Sequence, residues 1–309
     1  MTLIDRQGFV MLDGGLATQM EQRGADLDDD LWSARMLIEA PEEIRSVHSD
    51  FLKAGADVIA TATYQASFQG FEQAGYRAEQ AESLMRLGVD LAVLARESFW
   101  AKNENHVGRS RPLVAASIGP YGATLHDGSE YHGNYGLGKT ELVDFHRPRM
   151  QILADTAADL FAFETIPSRL EAEALVELMQ EFPGKQAWLS FSCKDEKDVS
   201  HGEPFADCVA LVEASDQMLA AGVNCTDPEY VNALLESADS HKKPLAVYPN
   251  SGEQWNAQDT QWVGDSCATM PVQDWYDRGA RLIGGCCRTT MEEIARMRSH
   301  LTQHVSKGR

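Results

Sequence analysis

Eight short apolar runs recur along the chain, separated by longer amphipathic stretches. The runs cover residues 9–12, 58–62, 113–118, 160–163, 187–191, 218–223, 245–248 and 281–283. Each is too short for a buried helix and most end in Gly, Asp, Asn or Glu, so they predict buried strands. The stretches between them carry helical spacing. Residues 41–55 predict a helix closed by Gly55. Residues 77–99 repeat Leu84, Leu87, Leu91 and Leu94 at intervals of three and four, and residues 141–158 and 168–181 read similarly. The last helix opens at Thr289 with Glu292 three residues on, a capping-box pattern. Eight strand–helix units predict an α/β fold, a TIM-type (β/α)8 barrel forming one domain over residues 1–309. An open doubly wound sheet is the alternative that periodicity leaves standing.

Two long polar, Gly-rich loops, residues 119–139 and 250–266, follow strands. In a barrel they lie on the catalytic face, at the carboxyl ends of the strands. Composition narrows the function classes. Of 309 residues, 43% are hydrophobic and 24% charged, values of a folded protein with a large core. The 27 basic and 47 acidic residues leave a net charge of −20, which repels phosphate backbones and anionic lipid surfaces. No run approaches the ~18 apolar residues of a membrane span, and the first twenty residues lack a secretory pattern. The expectation is a cytoplasmic enzyme with no nucleic-acid or membrane partner. Its six cysteines would then be reduced.

The most informative segment is Gly284-Gly285-Cys286-Cys287-Arg288. In a continuing strand, adjacent side chains point to opposite faces, and two neighbouring cysteines cannot share a ligand. Two glycines ahead of them let the chain leave strand geometry, so that both sulfurs can turn to one point. Cys225 closes the sixth run, on the same barrel rim. Three protein ligands with an open fourth position is the arrangement of catalytic zinc. A substrate thiol in that position ionises near neutral pH, against ~8.5 when free. A buried small residue at Cys225, or a redox pair at Cys286 and Cys287, is the alternative. Cys193, Cys208 and Cys267 read as small core residues.

Other strand ends carry candidate chemistry. Asp13-Gly14-Gly15 can form an amide nest for a carboxylate, with Asp13 taking an amine, or an ordinary capped turn. Glu164 can pair with an α-ammonium group or cap a loop. Thr63 offers a hydroxyl. In the first long loop, Asp127, Glu130 and Tyr131 can line a cation pocket or form a solvated turn. Arg288 can reach an anion or cap a helix. His126, His132, His146 and His201 show no metal-ligand spacing and read as surface or satisfied histidines.

With these segments in place the chain resembles the homocysteine S-methyltransferase family, most of all its S-methylmethionine-dependent branch. The resemblance runs from about Met11 to the last helix. It is carried by Gly222-Val223-Asn224-Cys225 and Gly284-Gly285-Cys286-Cys287-Arg288, with Asp13-Gly14-Gly15, Thr63-Tyr64-Gln65-Ala66-Ser67, residues 127–131 and Pro249-Asn250-Ser251-Gly252-Glu253. It implies a (β/α)8 barrel holding Zn2+ through Cys225, Cys286 and Cys287. It also implies that Asp13, Gly14, Gly15, Thr63 and Glu164 bind homocysteine, which a sulfonium donor methylates to methionine. Betaine-using relatives carry an aromatic residue where this chain has Gln65, and a longer C-terminal part. A betaine-type or selenocysteine methyltransferase, or a zinc-binding barrel without catalysis, are the other readings.

Overall fold

The computed structural model of the chain describes residues 2–25, 36–125, 127–256, 261–263 and 270–307. Eight parallel strands form one sheet: β1 (Val10–Met11), β2 (Val58–Ala60), β3 (Leu113–Ile118), β4 (Leu160–Ile166), β5 (Ala187–Phe191), β6 (Met218–Asn224), β7 (Leu245–Tyr248) and β10 (Ala280–Ile283). A small antiparallel hairpin, β8 (Gln254–Asn256) with β9 (Gln261–Val263), is inserted between β7 and β10. The sheet runs β1-β10-β7-β6-β5-β4-β3-β2. A parallel bridge between Leu12 and Val58 brings its two ends together. The expected eight-stranded barrel is therefore the fold, and the doubly wound alternative is excluded. Among the described residues no helix is long and apolar enough to cross a membrane.

The seam between β1 and β2 is stitched partly by side chains. The Met11 amide donates to Asp57 Oδ2 at 3.0 Å, and the Ala60 amide donates to Asp13 Oδ2 at 2.8 Å. Two aspartates thus supply acceptors that a longer ladder would have supplied from backbone carbonyls.

Strand parity sorts the core into two layers. Val10, Leu12, Val58, Ala115, Leu160, Ala162, Trp188, Ala220, Ala246 and Leu282 fill the barrel. A larger cluster lies between the barrel and its helices. Small residues dominate the interior, and Trp188 plugs it. Cutting such a side chain to Ala costs about 3–5 kcal/mol. At Gly222 a Cβ would fall 1.9 Å from the Ala246 carbonyl oxygen, so only glycine lets β6 and β7 pair here.

The helices match the expected pattern with instructive shifts. Helix Pro41–Ala54 ends at Gly55, which is left-handed with φ 116°. Helix Lys139–Ala154 stops short of the expected residue 158. The Thr156 hydroxyl there donates to the Leu153 carbonyl at 2.6 Å and takes up an end-of-helix acceptor. Helix Ala78–Trp100 packs through Ala81, Met85, Gly88, Leu91, Ala92, Ala95 and Phe99; of the expected leucine row Leu91 is buried, Leu84 and Leu87 are partly buried against the core, and Leu94 is 54% exposed. Small residues allow close approach: a Cβ on Gly88 would stand 2.7 Å from Thr63 Cγ2. The last helix, Met291–Lys307, is boxed by Thr290 and Glu293, one residue later than expected. Thr289 is engaged elsewhere, its amide on the Cys286 carbonyl and its carbonyl on the Gly15 amide.

Candidate active site and metal centre

The three cysteines meet. The Sγ atoms of Cys225, Cys286 and Cys287 all lie within 4.8 Å of one another, and those of Cys225 and Cys287 are 3.7 Å apart. They are the group of His, Cys, Asp and Glu side chains that the described residues offer for a metal. Two sulfurs held tetrahedrally by one metal ion at about 2.3 Å stand roughly 3.8 Å apart, so the donor set fits such an ion in type and spacing. No disulfide joins them.

The end of β7 explains why residues distant in sequence converge. The Cys225 amide donates to the Tyr248 carbonyl at 3.3 Å, and the Cys286 amide to the next carbonyl, Pro249, at 2.8 Å. The Ser251 amide returns a bond to the Cys287 carbonyl at 3.1 Å. One strand end is thus the template for both cysteine limbs. The glycines before Cys286 serve differently from the expectation. Neither is left-handed; both are needed for space. A Cβ on Gly284 would lie 2.7 Å from Leu12 Cβ, and one on Gly285 would lie 2.1 Å from Thr289 Cγ2. The turn itself is made by Arg288, at φ 65°.

Arg288 shares this conformation with only two other non-glycine residues among those described, Thr165 (φ 61°) and Cys225 (φ 49°). All three stand on the catalytic rim, where strained backbone concentrates when surrounding bonds hold it. For Thr165 the holder is Asn224. Its side-chain oxygen accepts from the Thr165 amide at 2.7 Å, and its nitrogen donates to Thr165 Oγ1 at 2.9 Å. The same nitrogen lies 3.8 Å from Cys286 Sγ. Arg288 is fixed by its amide on Thr18 Oγ1 at 2.8 Å and by its guanidinium on Glu253 Oε2 at 3.0 Å.

The sulfurs are electrostatically unequal. Hydrogen bonds from Cys286 and Cys287 hold the Cys225 thiol well below its ordinary range. Its neighbours, beside that charge, are raised. Tyr131 adds a hydroxyl 3.5 Å from Cys225 Sγ. Three thiolates at this spacing need a cation between them.

Glu164 lies within β4 rather than at its end. The strand continues to Ile166, with its pairing to β5 irregular between Phe163 and Ile166, as a bulge near a site often is. Glu164 shares parity with Leu160 and Ala162, so it belongs to the barrel interior. Ser117 Oγ donates to Glu164 Oε1. Burial raises the Glu164 carboxyl to about 7, against hydrogen bonds from Ser117 and Tyr248, and the charge of Cys225 adds to the rise. Tyr248 is oriented by the Trp188 indole, which donates to its hydroxyl at 2.9 Å. Asp13 is also raised well above its ordinary value, mainly by burial, despite the Ala60 amide, and Glu164 contributes. The two carboxylates act in each other's field, an arrangement that a cation between them would stabilise.

The remaining candidates have protein partners. The Thr63 hydroxyl donates to the Ser117 carbonyl at 2.7 Å and lies 2.6 Å from the Thr61 hydroxyl. Gly14 and Gly15 pack on the cysteine loop: a Cβ on Gly14 would meet the Thr289 carbonyl, and one on Gly15 the Cys286 carbonyl, each at 2.8 Å. Gly15 also donates its amide to Thr289 at 3.0 Å. Asp127 is exposed and caps its own turn, accepting from the Ser129 amide at 3.0 Å. Cys193 and Cys208 are buried away from the cluster; Cys267 and His126 lie outside the described residues. His146 is a satisfied core histidine. It is fully buried between Glu171 and Arg149, at 2.8 and 2.7 Å. This network supports the loop after β3, because Glu171 also accepts from the Tyr121 amide at 2.6 Å.

Sequence reasoning passed over Asn224, Thr165, Ser117 and Tyr248. Parity was the available signal for Ser117 and Tyr248, which fall on the inward set of their strands.

Known proteins resemble this chain over nearly its whole length. Residues 10–301 match the family model described as homocysteine S-methyltransferase. Homocysteine S-methyltransferase YbgG of Bacillus subtilis is 47% identical over 94% of each chain. Selenocysteine Se-methyltransferase of Brassica oleracea is 45% identical, covering 97% of this chain and 90% of its own. The metallated form of the homocysteine methyltransferase MmuM from Escherichia coli superimposes with a TM-score of 0.86 at 43% identity, covering 97% of this chain and 98% of that one. With barrel, cysteine cluster and these relatives in agreement, the chain belongs to the homocysteine S-methyltransferase family.

Proposed function

We propose that this chain transfers a methyl group from a sulfonium donor, S-methylmethionine foremost, to the thiol of homocysteine, forming methionine. The observation that carries the reading is the convergence of Cys225, Cys286 and Cys287 on one point of the rim, beside Glu164 and Asp13. The metal is zinc: three thiolates with an open fourth position suit its tetrahedral preference and leave room for a substrate sulfur. Held by Cys225, Cys286 and Cys287, zinc would lower the pKa of a substrate thiol enough for it to react as a thiolate at neutral pH.

The chain's own groups do the positioning. Asp13 and Glu164 take the α-ammonium of homocysteine, and its charge offsets their mutual repulsion. Ser117 and Tyr248 hold the Glu164 carboxylate in place. Thr63 shapes the floor through its bond to the Ser117 carbonyl. With the amino group fixed by the barrel wall and the sulfur at the cysteines, the acceptor has little freedom left. The new carbon–sulfur bond forms at the homocysteine sulfur. The methyl carbon leaves the sulfonium, whose sulfur keeps the electron pair and departs as a neutral thioether. No leaving-group acid is required.

The donor assignment rests on Gln65, which replaces the aromatic residue of betaine users. Its side chain donates to the Ala123 carbonyl at 3.2 Å. The test is methionine formation by the purified protein with S-methylmethionine, S-adenosylmethionine and betaine at fixed homocysteine, comparing kcat/KM. The expected order is S-methylmethionine, then S-adenosylmethionine, with betaine hardly used. Betaine matching S-methylmethionine overturns the donor assignment; no methionine from any donor overturns the activity. A selenocysteine arm addresses the acceptor used by the Brassica relative.

A further inference from the structure

One half-buried carboxylate on the rim has a buried oxygen left unpaired. Glu130 stands in a short 3-10 turn, Ser129–Tyr131, in the loop after β3. The turn is tightly built. A Cβ on Gly122 would stand 2.5 Å from the Glu130 amide nitrogen, and the Glu130 carbonyl accepts from Ser192 Oγ at 3.2 Å. Its Oε2 is buried without a hydrogen-bond partner, and among the described residues no Lys, Arg or His forms an ion pair with it. The charges acting on Glu130 are of its own sign, from Cys225 and Asp127. Its own charge acts in turn on the hydroxyls of Tyr64, Tyr131 and Tyr135. A carboxylate and several tyrosines beside the sulfur cluster make a site for a cation. Burial holds the Glu130 carboxyl near 7 while no cation is there.

We propose that Glu130 binds the α-ammonium group of the sulfonium donor, forming a second amino-acid subsite distinct from the Asp13 and Glu164 pair. This rests on the methyl-transfer reading above and adds to it the residue that recognises the α-amino end of the donor. The chemistry favours the ammonium over the sulfonium as the partner. The sulfonium charge vanishes as the methyl group leaves, so a carboxylate against it would stabilise the ground state more than the transition state. The ammonium charge persists throughout, and pairing with it strengthens binding without slowing the transfer. Asp127 does not share the role, because it is exposed and bonded within its turn.

The experiment compares wild type with Glu130→Gln, which keeps shape and removes charge. Two donors are used: S-methylmethionine and dimethylsulfoniopropionate, a sulfonium with no ammonium group, the latter as substrate or as competitor. The expected result is a rise of about ten- to a hundredfold in KM for S-methylmethionine, the loss of one charge-assisted bond. The kcat, the KM for homocysteine and the bound zinc should change little, and the affinity for dimethylsulfoniopropionate less than threefold. Equal weakening toward both sulfoniums overturns the ammonium assignment, as does an unchanged KM for S-methylmethionine. In either case methionine formation by wild type stands. Wild type that makes no methionine instead sinks the underlying activity.

Discussion

Asn224 holds Thr165 at two points, accepting from its amide at 2.7 Å and donating to its hydroxyl at 2.9 Å. The clamp joins the residue after Glu164 to the residue before Cys225, and it ties the Glu164 segment to the sulfur cluster. Asn224→Ala should therefore damage two functions that side-chain contacts alone would keep separate. The expected outcome is a ten- to hundredfold loss of zinc affinity, about the effect of losing a group that orients metal ligands. KM for homocysteine should rise as well. Competition with a zinc chelator and steady-state kinetics on the same preparation check both. Normal zinc binding with a raised KM would confine Asn224 to Glu164.

Replacing Cys225, Cys286 or Cys287 singly by Ala should remove the metal, about one ion per chain, and abolish turnover. Cys193→Ala and Cys208→Ala should retain both, since each sulfur is buried outside the cluster. Elemental analysis beside a methionine assay reads the result. A Cys287→Ala protein with full metal and full activity would falsify the triad.

Glu164 gives stability a pH dependence. Its carboxyl is held to about 7 in the fold, against an ordinary value of 4.5. The folded chain therefore holds this proton more tightly than the unfolded chain. Its contribution to stability is fully present below about 4.5 and is lost as pH rises through about 7. Glu164→Gln removes that loss. Without substrate or metal, the variant should be more stable than wild type at pH 8, by on the order of 1–3 kcal/mol, and nearly equal to it at pH 4.5. Urea denaturation at the two pH values measures this. KM for homocysteine should rise in the same variant.

Gly222→Ala tests the barrel rather than the chemistry. The new Cβ would fall on the Ala246 carbonyl, a backbone atom that cannot swing away. The cost should be about 3 kcal/mol or more, seen as a large fall in Tm and in soluble yield. A variant that melts like wild type would mean that β6 and β7 separate without strain.

The barrel was legible because each strand is a short apolar run closed by a turn residue, and three of the eight observed strands keep the expected bounds. The cysteine centre was legible because Gly284-Gly285-Cys286-Cys287 breaks strand alternation. Neighbours set by tertiary contact were not legible. In helix Ala78–Trp100 the leucine row faces the core at Leu84, Leu87 and Leu91 but not at Leu94, and the close approach to Thr63 is made by Gly88. The capping box moved from Thr289 to Thr290 because Thr289 is bound to Cys286 and Gly15. Glu164 was expected at a strand end, but β4 bulges and continues past it. The clamp by Asn224 has no local signature, since its partner is 59 residues away.

The seam between β1 and β2 bears on how the molecule opens. Its strands are the shortest of the barrel, and the Met11 and Ala60 amides rest on the carboxylates of Asp57 and Asp13. Amide protons there should exchange with solvent sooner than those of β4 to β6. Asp13 latches this seam and is also the residue proposed to receive substrate. A homocysteine ammonium seated on Asp13 would slow that exchange at Ala60, at the rim end of the seam, and leave Met11, at the far end, nearly unchanged. Substrate binding would be recorded in the breathing of the barrel wall.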